Sequence, residues 1–265
     1  MADKARRKYV VSASRRTDML ACDPDRLLAA LTGQLPTTRG LEPERVHTLL
    51  LSTKDFRPLL DHQGLSDVVK RCDQVCMNLT ITGLGGTRLE PRVPNHKLLM
   101  NRVEELVDYI GDPRRIMWCF SPILSWEGLS NFSLELFESI ATPVAMEGIK
   151  KSILTFYIPY GNSQIVPDLI NRDKRILFAQ KVDAIAQSLG MHMSICKMKN
   201  YHRLRCVDMQ WYAELHPEKD DSVVEHYQKM KKPTGHCRDA IWDIGWYRPR
   251  CGHACKYCYG LTKVE

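Results

Sequence analysis

The chain has 265 residues, of which 44% are hydrophobic and 26% are charged, a composition typical of a folded globular protein. No apolar run approaches the roughly 20 residues that span a bilayer, and the N-terminus lacks the long apolar stretch of a signal peptide. We therefore expect a cytoplasmic protein with no membrane partner. The net charge of +7 favours an anionic partner such as nucleic acid, a nucleotide or a phosphorylated metabolite, although a soluble protein can be basic without one.

Short apolar runs bounded by turn or polar residues predict buried strands, and amphipathic stretches between them predict helices. The strands are predicted at residues 8–12, 46–52, 75–82, 115–120, 151–158 and 191–196. The helices are predicted at residues 24–31 behind an Asp23 cap, 65–71, 98–110 before Gly111, 133–140, 175–189 before Gly190, and 220–232.

Strands that alternate with helices favour parallel βαβ units, so the chain is predicted to be an α/β protein with a partial or complete parallel (β/α) barrel. A doubly wound open sheet is the alternative. Beyond Cys196 the pattern changes, and from Pro233 onward Gly, Pro, Cys and aromatic residues dominate. We predict a barrel core at residues 1–196 and a C-terminal extension at residues 197–265 that packs on the barrel.

Charged and polar residues follow the first two predicted strands. Ser14, Arg15, Arg16 and Asp18 follow the first strand, and residues 53–55 follow the second. In a parallel barrel these positions face the mouth at the carboxyl ends of the strands, where active sites lie. The two arginines could instead pair with structural acids, and this alternative stays open.

Three cysteines near the C-terminus have the spacing of a metal site. Cys251, Cys255 and Cys258 lie four and three residues apart, with the aromatic Tyr257 before the last. Three thiolates on one short loop can each bind one iron of a cubane cluster and leave the fourth iron open. The sequence therefore predicts an iron–sulfur cluster with an open coordination position.

A zinc site is the alternative for these thiols, completed by Cys237, His236 or His253. Structural zinc sites usually take their ligands from two closely spaced pairs, such as CxxC or HxxxH. This chain has one closely spaced triplet instead, so the spacing favours the cluster. A cluster that only transfers electrons is a second alternative.

The triplet with an aromatic residue before its third cysteine resembles the radical-SAM signature, in which the cluster cleaves S-adenosylmethionine (SAM). The sequence CGHACKYCYG at residues 251–260 is similar to the corresponding sequence of the spore photoproduct lyase branch. More specifically, the chain resembles the uncharacterised bacterial family called domain of unknown function 1848. That resemblance spans nearly the whole chain and is carried by residues 12–18, 53–54, 80–83, 206–208, 243–245 and the cysteine triplet.

The resemblance implies a radical-SAM-like barrel that is circularly permuted, because most radical-SAM enzymes carry the cluster motif after their first strand. The N-terminal strand then takes the place of the usual second strand, whose following loop holds the amino-acid end of SAM. Asp18 is expected to face the ammonium group, and Arg15 or Arg16 the carboxylate, within a loop that begins at Ser14. Tyr257 is expected to pack near the adenine. The Gly-Gly-Glu-Pro motif usual in radical-SAM enzymes is absent.

The expected function is that of a radical-SAM enzyme with a [4Fe–4S] cluster and SAM as cofactors. A reductase or a ferredoxin- or flavodoxin-type protein is the expected electron donor, and an anion, nucleic acid included, the expected substrate. The alternative is a non-catalytic nucleic-acid-binding protein stabilised by zinc or an iron–sulfur cluster. Trp242, Trp246 and Tyr247 could stack on a base or anchor the extension to the core.

The remaining cysteines have no such motif. A disulfide framework is not expected in a reducing cytosol, so Cys22, Cys72, Cys76 and Cys119 are predicted to be buried apolar residues. A second metal site is an open possibility for Cys196, Cys206 and Cys237. The family pattern has Cys-x-Cys before Asp-Ile-Gly, whereas Asp239 takes the second cysteine position here.

Overall fold

The computed structural model describes residues 8–13, 17–159, 163–196, 198, 204–230, 241–245 and 251–258. Strands and helices alternate along this part of the chain, as the sequence predicts. None of the described helices is both long and apolar enough to cross a bilayer.

The described strands lie close to the predicted runs. They are β1 (Tyr9–Ser12), β2 (Val46–Thr53), β3 (Val75–Thr80), β4 (Ile116–Ile123), β5 (Ser125–Trp126), β6 (Leu129–Ser130), β7 (Lys151–Phe156), β8 (His192–Ile195) and β9 (Trp242–Asp243). The described helices are α1 (Met19–Cys22), α2 (Pro24–Leu31), α3 (Arg57–Asp61), α4 (Gln63–Val69), α5 (His96–Met100), α6 (Val103–Ile110), α7 (Leu134–Met146), α8 (Arg172–Ser188), α9 (Met209–Leu215) and α10 (Ser222–Gln228).

Seven of the described strands form one sheet in the order β9-β1-β2-β3-β4-β7-β8. The pairs β9–β1, β1–β2, β4–β7 and β7–β8 are parallel. Apart from β9, the strands follow one another in chain order, without the reversal that defines a doubly wound sheet. The sheet, with helices between its strands, is compatible with a partial (β/α) barrel.

Strand β9 comes from the segment that the sequence assigns to the C-terminal extension. Val11 is opposite Trp242 and Ser12 is opposite Asp243 in a parallel register. The amide of Ile244 continues the ladder, donating to the Ser12 carbonyl at 2.9 Å. Two residues are too short a run for periodicity to identify, which is why the sequence did not predict this strand.

The chain divides into two compact units, the first with residues 1–78 and 205–246 and the second with residues 79–204 and 247–265. In the first unit, Val10 and Leu49 of neighbouring strands and Leu27 of α2 are fully buried. In the second unit, Trp118 of β4 packs against Phe137 of α7, with ring centroids 5.2 Å apart. Each unit thus has an apolar core between strand and helix side chains, which the hydrophobic effect stabilises.

Helix ends follow the signals read from the sequence. The Asp23 side chain accepts from the Arg26 amide at 3.2 Å at the start of α2, and Gly111 ends α6 with a left-handed φ of 77°. The single helix predicted at residues 98–110 is wrong, because the chain there forms two helices, α5 and α6. The Arg102 amide donates to the Leu99 carbonyl at 3.0 Å, a tight turn that ends α5.

Candidate metal-binding loop

Residues 251–258, hereafter the cysteine loop, carry the three predicted metal ligands. Cys255 is buried, Cys251 and Cys258 are half-buried, and none of the three is in a disulfide. The Ala254 amide donates to the Cys251 carbonyl at 3.3 Å, and the Cys258 amide donates to the Cys255 carbonyl at 3.2 Å. Ala254 has a left-handed φ of 53°. Two consecutive turns therefore bring the three thiols onto one short segment.

The cysteine loop is attached by its backbone to two other segments of the second unit. The Lys256 amide donates to the Leu89 carbonyl at 3.0 Å, and the Lys256 carbonyl accepts from the Gln164 amide at 3.0 Å. Leu89 belongs to residues 84–93, hereafter the support segment. Backbone bonds on both sides of one residue fix the middle of the cysteine loop between the second and third thiols.

A side-chain hydrogen bond also ties the cysteine loop to the support segment. Tyr257 is buried, and its hydroxyl donates to the Glu90 carboxylate in a short hydrogen bond. The hydroxyl of Thr82 donates to the other Glu90 oxygen at 2.9 Å. Burial, with the Glu90 carboxylate next in effect, raises the pKa of Tyr257 well above its ordinary value, so the phenol keeps its proton.

An apolar cluster surrounds this part of the loop. Cys255 and Tyr257 are packed within a cluster that also contains Leu84, Leu89, Val93, Leu124, Tyr157 and Ile165. The rings of Tyr157 and Tyr257 meet edge to face, with centroids 6.2 Å apart. Cys258 is half-buried at the edge of the cluster. One side of the cysteine loop is thus kept dry, and burial is one of the factors that set the potential of an iron–sulfur cluster.

The separation of the thiols helps to decide which metal the loop suits. Within the described residues, Cys251, Cys255 and Cys258 do not form a group whose sulfurs all lie within 4.8 Å of one another. Thiolates on a single zinc ion, with Zn–S bonds of about 2.3 Å, lie about 3.8 Å apart. A cubane cluster places each thiolate on a different iron, which separates the sulfurs further.

Asp18 lies in the first unit and is held by several hydrogen bonds. Its carboxylate caps α1 by accepting from the Ala21 amide at 3.1 Å. It also accepts from the Thr53 hydroxyl at 2.9 Å and the Lys54 amide at 2.8 Å. These bonds tie the residues after β1 to the carboxyl end of β2, so Asp18 has a structural role that the sequence did not predict. Its predicted contact with the SAM ammonium stays a prediction.

The other residues predicted to bind SAM are Ser14, Arg15 and Arg16, and they lie outside the described residues. Tyr257 is described, and its hydroxyl is directed to Glu90. Its predicted contact with adenine concerns the ring and stays a prediction.

The remaining cysteines differ in burial. Cys72, Cys76 and Cys119 are buried, as predicted, and burial raises the pKa of the Cys72 thiol to about 12. Cys22 is half-buried, so the prediction that it is a core residue is wrong. It is the last residue of the short helix α1, a position that the sequence pattern did not reveal.

The cysteines considered for a second metal site are only partly described. Cys196 and Cys206 are half-buried, and Cys237 and Asp239 lie outside the described residues. The second site stays a prediction.

Of the aromatic residues before the cysteine loop, Trp242 is described, whereas Trp246 and Tyr247 are not. The Trp242 ring meets the Tyr9 ring edge to face, with centroids 5.2 Å apart. This contact between β9 and β1 is what the anchoring alternative expects of Trp242.

A buried histidine pair in the first unit was not predicted from the sequence. His47 and His216 stack with ring centroids 4.2 Å apart and an interplanar angle of 19°, and Asp220 has a ligand atom within 4.8 Å. An ion has to lie near the plane of each imidazole that binds it, and nearly parallel rings do not share such a point.

Hydrogen bonds also occupy the ring nitrogens of the pair. His47 Nε2 donates to the Asp220 carbonyl at 3.0 Å, and His216 Nε2 donates to Asp73 at 3.3 Å. His47 Nδ1 accepts from the Thr48 hydroxyl at 2.7 Å, and His216 Nδ1 accepts from the Glu218 amide at 3.2 Å. Hydrogen bonds to both nitrogens of each ring thus hold the pair in its stacked arrangement.

Comparison with known proteins identifies the family of the chain. A family model described as "Domain of unknown function (DUF1848)" matches residues 10–260. No curated protein matches the chain.

Proposed function

This chain belongs to the DUF1848 family, and we propose that it is a radical-SAM enzyme whose substrate is a nucleic acid or a nucleotide-like anion. The observation that carries the proposal is the cysteine loop, in which three thiols at the radical-SAM spacing lie on one fixed segment. The net charge of +7 supports the anionic substrate class.

A reduced [4Fe–4S] cluster held here would supply the one electron needed to cleave SAM into methionine and a 5′-deoxyadenosyl radical, and this radical would take a hydrogen atom from the substrate. The electron comes from a reductase or from a ferredoxin- or flavodoxin-type protein. The thiolates of Cys251, Cys255 and Cys258 would each bind one iron and would leave the fourth iron for SAM. The apolar cluster around Cys255 excludes water from that side and so protects a reactive radical.

Residues after β1 are proposed to hold the amino-acid end of SAM, with Asp18 facing the ammonium and Arg15 or Arg16 the carboxylate, in a loop that begins at Ser14. The bonds from Ala21, Thr53 and Lys54 hold the Asp18 carboxylate in one position, as a charge-assisted contact requires. The ring of Tyr257 is proposed to meet the adenine.

The sheet order supports a circularly permuted radical-SAM-like barrel. Strand β9 is the last described strand before the cysteine loop in the sequence, and it lies beside β1. In an unpermuted radical-SAM barrel the strand before the cluster motif is the first strand, next to the second. If circular permutation moves that first strand to the C-terminus, the last strand of the chain lies beside the N-terminal strand. The pairing of β9 with β1 is what this arrangement expects.

Formation of 5′-deoxyadenosine tests the proposal. The protein is reconstituted with iron and sulfide without oxygen, reduced with dithionite and mixed with SAM. We expect 5′-deoxyadenosine from the wild type and none above background from Cys255→Ala. Cys72→Ala is the matched control, because Cys72 is a buried cysteine outside the triplet whose thiol has a pKa raised to about 12 by burial. No SAM cleavage by a wild-type protein that holds its cluster would contradict the proposal.

A second candidate is a non-catalytic, metal-stabilised nucleic-acid-binding protein, which the basic charge favours. It predicts stoichiometric zinc or a cluster that does not react with SAM, together with nucleic-acid binding. The same preparation separates the two candidates, because only the enzyme forms 5′-deoxyadenosine.

A further inference from the structure

Glu90 is fully buried, which is costly for a carboxyl group. Its two oxygens accept from side chains on different segments, Thr82 after β3 and Tyr257 in the cysteine loop. Tyr257 is 167 residues away in the sequence, so this is a long-range connection. A leucine at this position in a cluster of Leu, Val, Ile and Tyr would pack without that cost.

The support segment that carries Glu90 is itself rigidly built. The Glu90 amide donates to the Thr87 carbonyl, and the Glu90 carbonyl accepts from the amides of Gly86 and Val93, each at 3.1 to 3.2 Å. Gly85 lies so close to Pro94 that an added Cβ would be 1.9 Å from the Pro94 carbonyl oxygen. The Glu90 carboxyl group thus starts from a fixed backbone.

Two bonds run from this segment to adjacent residues of the cysteine loop. The Leu89 carbonyl accepts from the Lys256 amide, and Glu90 accepts from the Tyr257 hydroxyl. Lys256 and Tyr257 are the two residues between Cys255 and Cys258. The position of both thiols is therefore set by neighbouring residues that are attached to the support segment.

We propose that Glu90 is a positioning residue that fixes the Cys255–Cys258 half of the cysteine loop for cluster binding by holding the Tyr257 hydroxyl. This inference rests on the proposed function in that it assigns the loop to a cluster. In this proposal Glu90 does not bind the cluster itself. It acts through its hydrogen bond with Tyr257.

Four variants test the inference. Glu90→Leu removes both acceptors, and Tyr257→Phe removes the donor but keeps the ring. Glu90→Gln is the conservative variant, since its amide oxygen accepts from Tyr257 and its amide nitrogen donates to Thr82. Tyr157→Phe is the matched control, because this hydroxyl lies in the same cluster and has no hydrogen-bond partner among the described residues.

Two readouts are measured on the full chain. Hydrogen exchange of the peptide that contains Lys256 and Tyr257, in metal-free protein, reports on the loop whether or not a cluster binds. Release of iron to a chelator from the reconstituted protein, with the electron paramagnetic resonance spectrum of its reduced cluster, reports on the cluster.

We expect Glu90→Leu and Tyr257→Phe to speed both exchange and iron release about tenfold, because each removes the buried hydrogen bond between Tyr257 and Glu90. Glu90→Gln and Tyr157→Phe should stay within about twofold of the wild type. The inference is overturned if Glu90→Leu exchanges no faster than Tyr157→Phe, or if Glu90→Gln is as impaired as Glu90→Leu. If Glu90→Leu does not fold, the comparison of exchange rates between Tyr257→Phe and Tyr157→Phe tests the inference instead. Equal rates in these two variants overturn it. A wild type that binds no cluster contradicts the proposed function, while the exchange data still test the role of Glu90.

Discussion

The buried His47 ring, stacked on His216, is arranged for its neutral form. Burial lowers the pKa of His47, and the neighbouring His216 adds to that shift. Asp73 and Asp220 also face the pair, and Lys8 is bound to Asp73 at 2.5 Å. Protonation of one ring would place a charge against the other and oppose the amide that donates to His216.

We predict that the free energy of unfolding decreases as the pH falls from about 7 to about 5. The folded-state pKa of His47 lies below its ordinary value of 6.5, so the unfolded chain binds the proton more readily in that interval. The contribution of His47 to the free energy of unfolding is fully present above its unfolded-state pKa. It is lost as the pH falls towards its folded-state pKa. Urea unfolding followed by circular dichroism at several pH values measures this dependence.

His47→Gln should make this pH dependence weaker, because glutamine keeps a donor for the Asp220 carbonyl but takes up no proton. The matched variant His192→Gln changes an exposed histidine and should leave the dependence as it is. An unchanged pH dependence in His47→Gln would contradict this account of the pair.

Asp18→Ala is predicted to lower the free energy of unfolding by about 1–3 kcal/mol, since it removes a helix cap together with the hydrogen bonds that the Asp18 carboxylate accepts from the buried Thr53 hydroxyl and the Lys54 amide. Asp23→Ala removes a cap that accepts from the Arg26 amide and should cost less. Denaturant unfolding compares the two. An equal or larger loss in Asp23→Ala would contradict the structural role of Asp18.

At the scale of elements, the support segment depends on a glycine. We predict that Gly85→Ala lowers the iron content of the reconstituted protein and the free energy of unfolding, because its Cβ would meet the Pro94 carbonyl oxygen. Gly86→Ala is the matched variant. Gly86 has a left-handed φ of 79° but no atom within 4 Å of an added Cβ, so its cost is limited to about 1 kcal/mol.

Iron analysis and denaturant unfolding of the two variants test this prediction. Full iron content in Gly85→Ala, with a free energy of unfolding no lower than that of Gly86→Ala, would contradict the prediction. It would show that the support segment accommodates the added methyl group without disturbing the cysteine loop.

Most strands could be predicted because each is a short apolar run that ends at turn residues, as β2 and β7 illustrate. Local patterns also gave the caps at Asp23 and Gly111. They could not separate α5 from α6, because the apolar spacing continues through the turn at Arg102.

The cysteine loop was predictable because its three thiols are close in the sequence. The attachment of the cysteine loop to the support segment could not be predicted, since Glu90 and Tyr257 meet only when distant segments pack together. Asp18 was expected at a strand end for chemical reasons, and its hydrogen bonds to Thr53 and Lys54 add a structural role that no local pattern carries.

At the scale of the whole molecule, the net charge of +7 predicts binding to nucleic acid that weakens steeply with salt, because phosphate contacts release counterions. Arg16→Ala should reduce the slope of log affinity against log salt by about one ion. Arg114→Ala is the control, since Arg114 is exposed and paired with Asp112 at 2.7 Å. Fluorescence anisotropy with labelled single-stranded and duplex oligonucleotides measures the slope. Binding that is indifferent to salt, or absent at low ionic strength, would favour a small metabolite or a peptide as substrate.

The most direct test of the central claim is the iron and acid-labile sulfide content of the anaerobically reconstituted protein. The account predicts about four of each per chain in the wild type and in Cys72→Ala, and loss of the cluster in Cys251→Ala, Cys255→Ala and Cys258→Ala. Circular dichroism should show that all the variants remain folded. Full iron and sulfide content in any variant of the triplet, or stoichiometric zinc in place of iron in the wild type, would contradict it.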